Sequence, residues 1–153
     1  MPKRSAGLLL YRGSGADLEV LIVHPGGPFW AHRDDGVWSI PKGEYTAGEN
    51  PWQAAQREFS EELGLPVPDG VRIDLGEVRQ SSGKIVTAFS VNADLDIAGA
   101  QSNTVEMEWP RRSGRIRRFP EIDRAAWVTI EVARIKLLPG QQPILDRLLE
   151  NLI

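Results

Sequence analysis

Glu58, Glu61 and Glu62 stand three and four residues apart in the run Arg57-Glu58-Phe59-Ser60-Glu61-Glu62. At 3.6 residues per turn that spacing puts all three carboxylates on one side of a helix. Neighbours about 6 Å apart repel by roughly 0.7 kcal/mol in bulk water and by about 3 kcal/mol at an effective dielectric near 20. A bound cation relieves that repulsion. The alternative is an ordinary solvated acidic face, since exposed like charges one turn apart cost only about 0.2–0.5 kcal/mol. Energetics alone does not choose between the two.

The helix that would carry these acids has clear ends. Asn50 is a good N-cap, Pro51 suits the first helical position, Gln53 can complete a capping box, and Gly64 followed by Pro66 marks the exit. Trp52, Ala55, Phe59 and Leu63 gather on one face, and the glutamates lie roughly 100° away on the next. Ala54, one turn before Glu58, falls among the acids, so no large side chain blocks that face. The spacing predicts an apolar face on the core and an acidic face on a cleft.

The remaining elements frame this helix. Residues 6–11 and 18–23 read as buried strands, and 37–40 as a short strand ended by Pro41, with Lys42 and Gly43 opening a loop. Between them, Pro25, Gly26, Gly27 and Pro28 predict a surface loop bearing Phe29, Trp30 and His32. Those aromatics can stack on a planar ligand or tuck the loop onto the core. Residues 71–79 and 84–91 read as strands joined by a turn at Ser81, Ser82 and Gly83, and 94–103 as a loop. Residues 104–109 predict a strand, Pro110 opens an arginine-rich loop, and 125–129 predict the last strand. A helical turn at 131–135 and a closing helix at 141–152 follow, separated by Pro139 and Gly140. No internal repeat or linker interrupts 1–153, so the expectation is a single α/β domain with a mixed sheet and flanking helices.

Composition narrows the function classes. A chain of 153 residues with 41% hydrophobic and 25% charged residues can bury its own core. A net charge of −3 argues against general affinity for nucleic acid or anionic membrane, though it leaves room for a local basic patch. The absence of cysteine excludes disulfides, thiolate nucleophiles and cysteine metal sites, and makes the cytoplasm the default compartment. Leu8, Leu9 and Leu10 form too short an apolar run for a signal-peptide core or a membrane span. His24 and His32 have no matching partner for zinc and read as surface histidines, and Ser39 and Ser60 lack a nucleophile-elbow context.

Gly43, five residues, Glu49, seven residues, then Arg57-Glu58-Phe59-Ser60-Glu61-Glu62-Leu63-Gly64-Leu65 resembles the Nudix box at all nine of its specified positions. The preceding Trp38-Ser39-Ile40-Pro41-Lys42-Gly43 adds to the likeness. The resemblance implies a Nudix α/β/α sandwich and a pyrophosphohydrolase, an enzyme acting on the acid anhydride of a nucleoside diphosphate linked to another group. It implies Mg²⁺, with Mn²⁺ able to substitute, held by Glu58, Glu61 and Glu62 and a backbone carbonyl near Gly43, with the same glutamates catalytic. Magnesium suits such a site because it takes hard oxygen ligands and binds through a few carboxylates together with substrate phosphates. Glu49 and Arg57 are implied to form a salt bridge that braces the loop against the helix.

Further residues are candidates for substrate contact. Lys42 and the arginines Arg111, Arg112, Arg115, Arg117 and Arg118 can meet phosphates or simply remain solvated, and Trp30 can stack on a base. Glu106 and Glu108 are candidates for an extra carboxylate from a later strand, where their shared parity puts both on one side. The lead-in is similar to that of Nudix enzymes acting on dinucleoside or inositol polyphosphates, so a small-molecule dinucleoside polyphosphate is the first expectation and a nucleoside triphosphate the second. A non-catalytic nucleotide-sensing module and an RNA 5′-end pyrophosphohydrolase are the alternatives. The family is often dimeric, which admits a homodimer.

Overall fold

The computed structural model describes residues 3–153. Met1 and Pro2 lie outside the described residues. The elements are β1 (Arg4–Arg12), β2 (Glu19–Pro25), β3 (Lys42–Glu44), α1 (Pro51–Leu63), β4 (Arg72–Arg79), β5 (Ile85–Asn92), β6 (Thr104–Glu108), β7 (Ile116–Pro120), β8 (Ile122–Thr129), α2 (Ile130–Lys136) and α3 (Gln142–Asn151). Five strands line up in the order β4-β5-β1-β2-β8, with β3 paired to β1, while β6 and β7 form a separate two-stranded ribbon. The main sheet is mixed: β1 runs parallel to β5 and antiparallel to β2 and β3. The expected α/β architecture is present. No helix among the described residues is long and apolar enough to cross a membrane.

β1 is central because both of its faces are apolar. Successive side chains alternate between faces, and Ala6, Leu8 and Leu10 pack with Phe59 and Leu63 of α1. Leu9 and Tyr11 pack on the other side with Ala133 of α2 and Ile144, Leu145 and Leu148 of α3. Burying each large aliphatic side chain contributes about 1.5–3 kcal/mol, so the strand is held between two apolar layers.

α1 begins and ends as its sequence dictates. The Asn50 side chain accepts from the amides of Trp52 and Gln53, and Pro51 takes the first helical position. Gly64 sits at φ 66°, the left-handed conformation that glycine adopts without strain, and its amide donates to Ser60 O. Among the described residues no reciprocal side-chain bond from Gln53 completes a capping box; Asn50 satisfies both amides alone.

Three local expectations need correction. Residues 37–40 form only isolated bridges at Trp38 and Ser39, and the strand lies instead at Lys42–Glu44, past Pro41. Pro41 has no amide to give a ladder but its carbonyl accepts from Leu8 N, so pairing to β1 continues beyond it. Second, the arginine-rich segment is not all loop: Arg117 and Arg118 lie in β7, paired with Met107 and Glu106 of β6. Third, Ala54 is fully buried in the core with Phe59 and Leu8 rather than open beside the acids.

Candidate functional site

The acidic side of α1 meets β3 at a pocket of about 460 Å³. The helix phase buries two of the three glutamates there: Glu58 is 8% and Glu62 6% exposed, while Glu61 lies at the rim. Glu62 Oε1 accepts from the Lys42 amide at 2.9 Å, tying the helix to the first residue of β3. Glu58 lies against Gly43, and a Cβ at that position would overlap the Glu58 carboxylate. Glycine at 43 is therefore a requirement of close approach and not of turn geometry.

Arg57 braces this arrangement. Its Nε and Nη2 donate to the two oxygens of Glu49 at 3.0 and 3.1 Å, a bidentate fork, and its Nη1 donates to Glu58 Oε1 at 2.7 Å. The Glu49–Arg57 salt bridge therefore extends to Glu58. The same Nη1 lies 3.4 Å from Glu61 Oε1. Held among carboxylates, the guanidinium has its pKa raised, chiefly by the Glu49 hydrogen bonds.

A further carboxylate enters the pocket from Glu121, between β7 and β8. Its backbone is pinned on two sides: Glu121 N donates to Asn103 O at 2.9 Å, and Gly26 N donates to Glu121 O at 2.8 Å. Glu106 and Glu108, the later-strand candidates, do not line this pocket; they stand on the β6–β7 ribbon, where Glu106 pairs with Arg118 at 2.9 Å. Sequence reasoning missed Glu121. The signal was its place at the junction of two strands, between Pro120 and Ile122, where pairing stops and a side chain can be re-aimed.

The pocket's electrostatics follow from burial of like charges. Burial pushes the Glu62 carboxyl up to about 8, with Glu121 and Glu58 adding to the shift and the Lys42 amide and ammonium opposing it. Glu58 is raised as well, by burial first and then by Glu61, against the pull of Arg57. Burial lowers the Lys42 ammonium, and Lys84 lowers it further, while Glu62 and Glu44 oppose both effects.

A divalent cation fits this donor set. The oxygens of Glu58, Glu62 and Glu121 are hard ligands confined to one pocket, and Gly43 lines the same wall. Ser5 supplies a second observation: it lines the pocket, and its Oγ is a buried polar atom with no hydrogen-bond partner among the described residues. Buried orphan hydroxyls are rare and point to a missing polar partner such as an ion or its water. As they stand, no three His, Asp or Glu side chains among the described residues converge tightly enough to grip one ion. Glu58 is turned to Arg57 and Glu62 to the Lys42 amide, so ion binding requires these side chains to turn from their present partners.

The other candidates are scattered. Trp30 stacks edge-to-face on Phe29, with centroids 4.8 Å apart, and Arg33 lies over Phe29, so the aromatics of this loop pack on each other. Arg111 and Arg112 are exposed in the turn of the ribbon. His24 is not a surface histidine: it is fully buried on β2, with Nδ1 2.7 Å from Asp123 Oδ1 and Nε2 2.6 Å from Arg33 O. It anchors the 26–33 loop to the start of β8, close to Glu121.

A family model described as the NUDIX domain matches residues 1–148. Among curated proteins, the chain is 37% identical over 67 residues to an octanoyltransferase of Myxococcus xanthus and 37% identical over 65 residues to an asymmetrical bis(5′-nucleosyl)-tetraphosphatase of Caenorhabditis elegans. Those matches take in 44% and 42% of this chain but only 17% and 43% of the two relatives. An RNA pyrophosphohydrolase of Rhodospirillum rubrum aligns along nearly the whole length, at 27% identity over 99% of this chain and 92% of that one. In three dimensions, the crystal structure of a C. elegans Ap4A hydrolase binary complex superposes with a TM-score of 0.64 at 21% identity, covering 98% of this chain and 97% of that one.

Proposed function

Because the chain belongs to the Nudix family, we propose that it is a metal-dependent pyrophosphohydrolase in which Glu58, Glu62 and Glu121 face a phosphoanhydride of a nucleotide. One observation carries this reading: two buried glutamates of α1, packed on Gly43 and the Lys42 amide, share a pocket with a third acid from a distant part of the chain. Burying like charges together destabilises a fold unless they are compensated, and Arg57 on Glu58 and Lys42 near Glu62 compensate this group only in part, which favours a ligand that neutralises the rest. The names of two relatives, a bis(5′-nucleosyl)-tetraphosphatase and an RNA pyrophosphohydrolase, support a nucleotide polyphosphate as substrate.

Glu58, Glu62 and Glu121, with the Gly43 carbonyl, are the groups that would hold Mg²⁺ or Mn²⁺, and Glu61 stands at the rim. A divalent ion there supplies charge neutralisation of the phosphate oxygens and Lewis-acid polarisation at phosphorus. The chain's own groups do the rest. Arg57, gripped by Glu49, fixes where Glu58 points. Lys42 and Lys84, both lining the pocket, offer positive charge to phosphate oxygens that no carboxylate can take. Glu62, held by the Lys42 amide, is a carboxylate placed to orient an attacking water and, once a bound cation keeps it ionised, to take its proton. The whole length is proposed as one catalytic domain, and the cytoplasm as its setting, since nothing in a cysteine-free chain calls for an oxidising compartment.

The test is product analysis across nucleoside triphosphates, dinucleoside polyphosphates and 5′-triphosphorylated RNA, with Mg²⁺, Mn²⁺ or chelator, and Glu62→Gln as control. Cleavage that needs the divalent ion and is lost in the variant is the expected result. A chain that cleaves none of the panel in either metal is not the enzyme proposed.

A further inference from the structure

The β6–β7 ribbon serves no purpose in the pocket chemistry, yet it is rooted there. Residues 104–120 carry five arginines against two glutamates, a local +3 in a chain of net charge −3. Glu106 pairs with Arg118, whereas Arg111, Arg112, Arg115 and Arg117 have no ion-pair partner among the described residues. The register sets Val105 opposite Phe119 and Met107 opposite Arg117, so these four side chains share one face, with the Arg117 guanidinium 5.7 Å from the Phe119 ring. Val105 is 39% exposed, and Met107 and Phe119 are partly so. Positive charge beside an aromatic ring, Phe119, on a partly exposed apolar face supplies the backbone contacts and the stacking surface that bind single-stranded nucleic acid.

Position adds to composition. β7 ends at Pro120, immediately before Glu121 of the acidic pocket. Between pocket and ribbon lies a cleft of about 270 Å³ lined by Glu62, Gln101, Ser102, Thr104, Pro120 and Arg124. It shares Glu62 with the pocket and Thr104 and Pro120 with the ribbon. The strands are five residues long, so the arginines of the turn stand roughly 17 Å from the root at about 3.4 Å per residue. A mononucleotide anchored by its phosphates at the acids would not reach them. A chain of phosphates would.

Resting on the hydrolase reading above, we propose that the β6–β7 ribbon binds the 5′-terminal nucleotides of a single-stranded RNA whose 5′-polyphosphate enters the acidic pocket. The end-to-end alignment with an RNA pyrophosphohydrolase agrees with that substrate class. The first nucleoside lies in the cleft, the next bases rest on the Val105–Met107–Phe119 face, and the turn arginines take backbone phosphates. The sequence preference is weak, because stacking and phosphate contacts do not read base edges.

The experiment uses 5′-triphosphorylated RNAs of two, four and eight nucleotides with the full chain. Binding is read by fluorescence anisotropy on Glu62→Gln, which stops turnover, and cleavage is read on the wild type beside diadenosine tetraphosphate. Affinity is expected to rise at least tenfold from the two-mer to the eight-mer. Replacing Arg111, Arg112 and Arg115 together by Gln should return the eight-mer to the two-mer's affinity and flatten the log Kd against log salt slope by about 2, from three lost phosphate contacts at roughly 0.7 each. The ratio of RNA to dinucleotide turnover should fall tenfold or more in that variant. Length-independent binding, or a triple variant that binds the eight-mer like its parent, overturns the proposal and leaves the ribbon to another partner such as an acidic protein. Loss of the hydrolase reading looks different: neither RNA nor dinucleotide is cleaved, while the anisotropy series still decides whether the ribbon binds RNA.

Discussion

Gly43→Ala separates the site from the fold. Gly43 is paired with Ala6 across β1 and β3 and is not among the glycines with positive φ, so an alanine fits its backbone. On backbone grounds the change stabilises by about 0.4–1 kcal/mol, through a less flexible unfolded chain. The three atoms nearest the new methyl all belong to the Glu58 carboxylate, the far end of a rotatable side chain, which must swing off its 2.7 Å bond to Arg57. A lost charged hydrogen bond costs about 1.5–3 kcal/mol, less whatever repulsion the move relieves, so net stability should change by no more than about 2 kcal/mol. For a domain of this size that is a Tm shift within roughly 4–8 °C. Function is affected differently, because misplacing a catalytic group by about 1 Å costs on the order of 100-fold. We expect kcat/KM to fall by that factor or more, and the Tm gain on adding Mg²⁺ to shrink, in a protein whose metal-free melt is near wild type. Thermal melts with and without Mg²⁺, run beside turnover of the best substrate, decide it. Turnover within threefold of wild type would refute the idea that Glu58 must lie against an unsubstituted residue 43. A collapse of Tm by 15 °C or more would show that the methyl meets something less yielding than a side-chain tip.

Other outcomes follow from the same geometry. With its folded pKa near 8 against an ordinary 4.5, Glu62 binds a proton more tightly in the folded protein; the stability this gives is complete below about pH 4.5 and is lost as pH rises to about 8. Urea melts of metal-free protein should therefore show wild type losing a few kcal/mol relative to Glu62→Gln across that window, with Mg²⁺ restoring the loss at the alkaline end; parallel pH profiles would contradict it. Ser5→Ala removes an orphan hydroxyl, so the metal-free melt should hold or rise by about 1 kcal/mol while Mg²⁺ affinity by calorimetry weakens severalfold. Arg57→Lys keeps the charge but loses the fork on Glu49; metal affinity should drop about 10-fold or more with only a small change in Tm, since the pair is part-exposed. Asn50→Ala should cost about 1 kcal/mol from the lost cap, with kcat unaltered.

The parts of the site contained within one short stretch were legible, and those assembled across the chain were not. Asn50, Pro51 and Gly64 announce α1 by local backbone chemistry, Glu58 and Glu62 follow from spacing along that helix, and the Glu49–Arg57 brace follows from the resemblance of the stretch to the Nudix box. Their unequal burial was not legible, because the layer facing Glu58 and Glu62 is β3, whose strand lies beyond a proline where pairing is expected to stop. Glu121 lies 59 residues after Glu62 and carries no motif; only the pinning of its backbone by Asn103 and Gly26 brings it to the pocket. His24 read as exposed because its partners, Asp123 and the Arg33 carbonyl, are invisible to local pattern. The ribbon was half hidden because runs of arginine mask the alternation of Ile116, Arg117, Arg118 and Phe119.

The parallel pairing of β1 with β5 sets a timetable for the chain's birth. Arg4 meets Ile85 and Tyr11 meets Asn92, so the most apolar strand waits for a partner made some eighty residues later. At about 5–20 residues per second that is a delay of roughly 4–16 s, during which Leu8, Leu9 and Leu10 have only β2, β3 and α1 for cover. The acidic helix and its glycine contact can form within that interval, before the sheet is complete. A nascent chain arrested before residue 85 should be chaperone-dependent and prone to aggregate through its first strand, and that dependence should end only once α2 and α3 have also emerged to cover Leu9 and Tyr11.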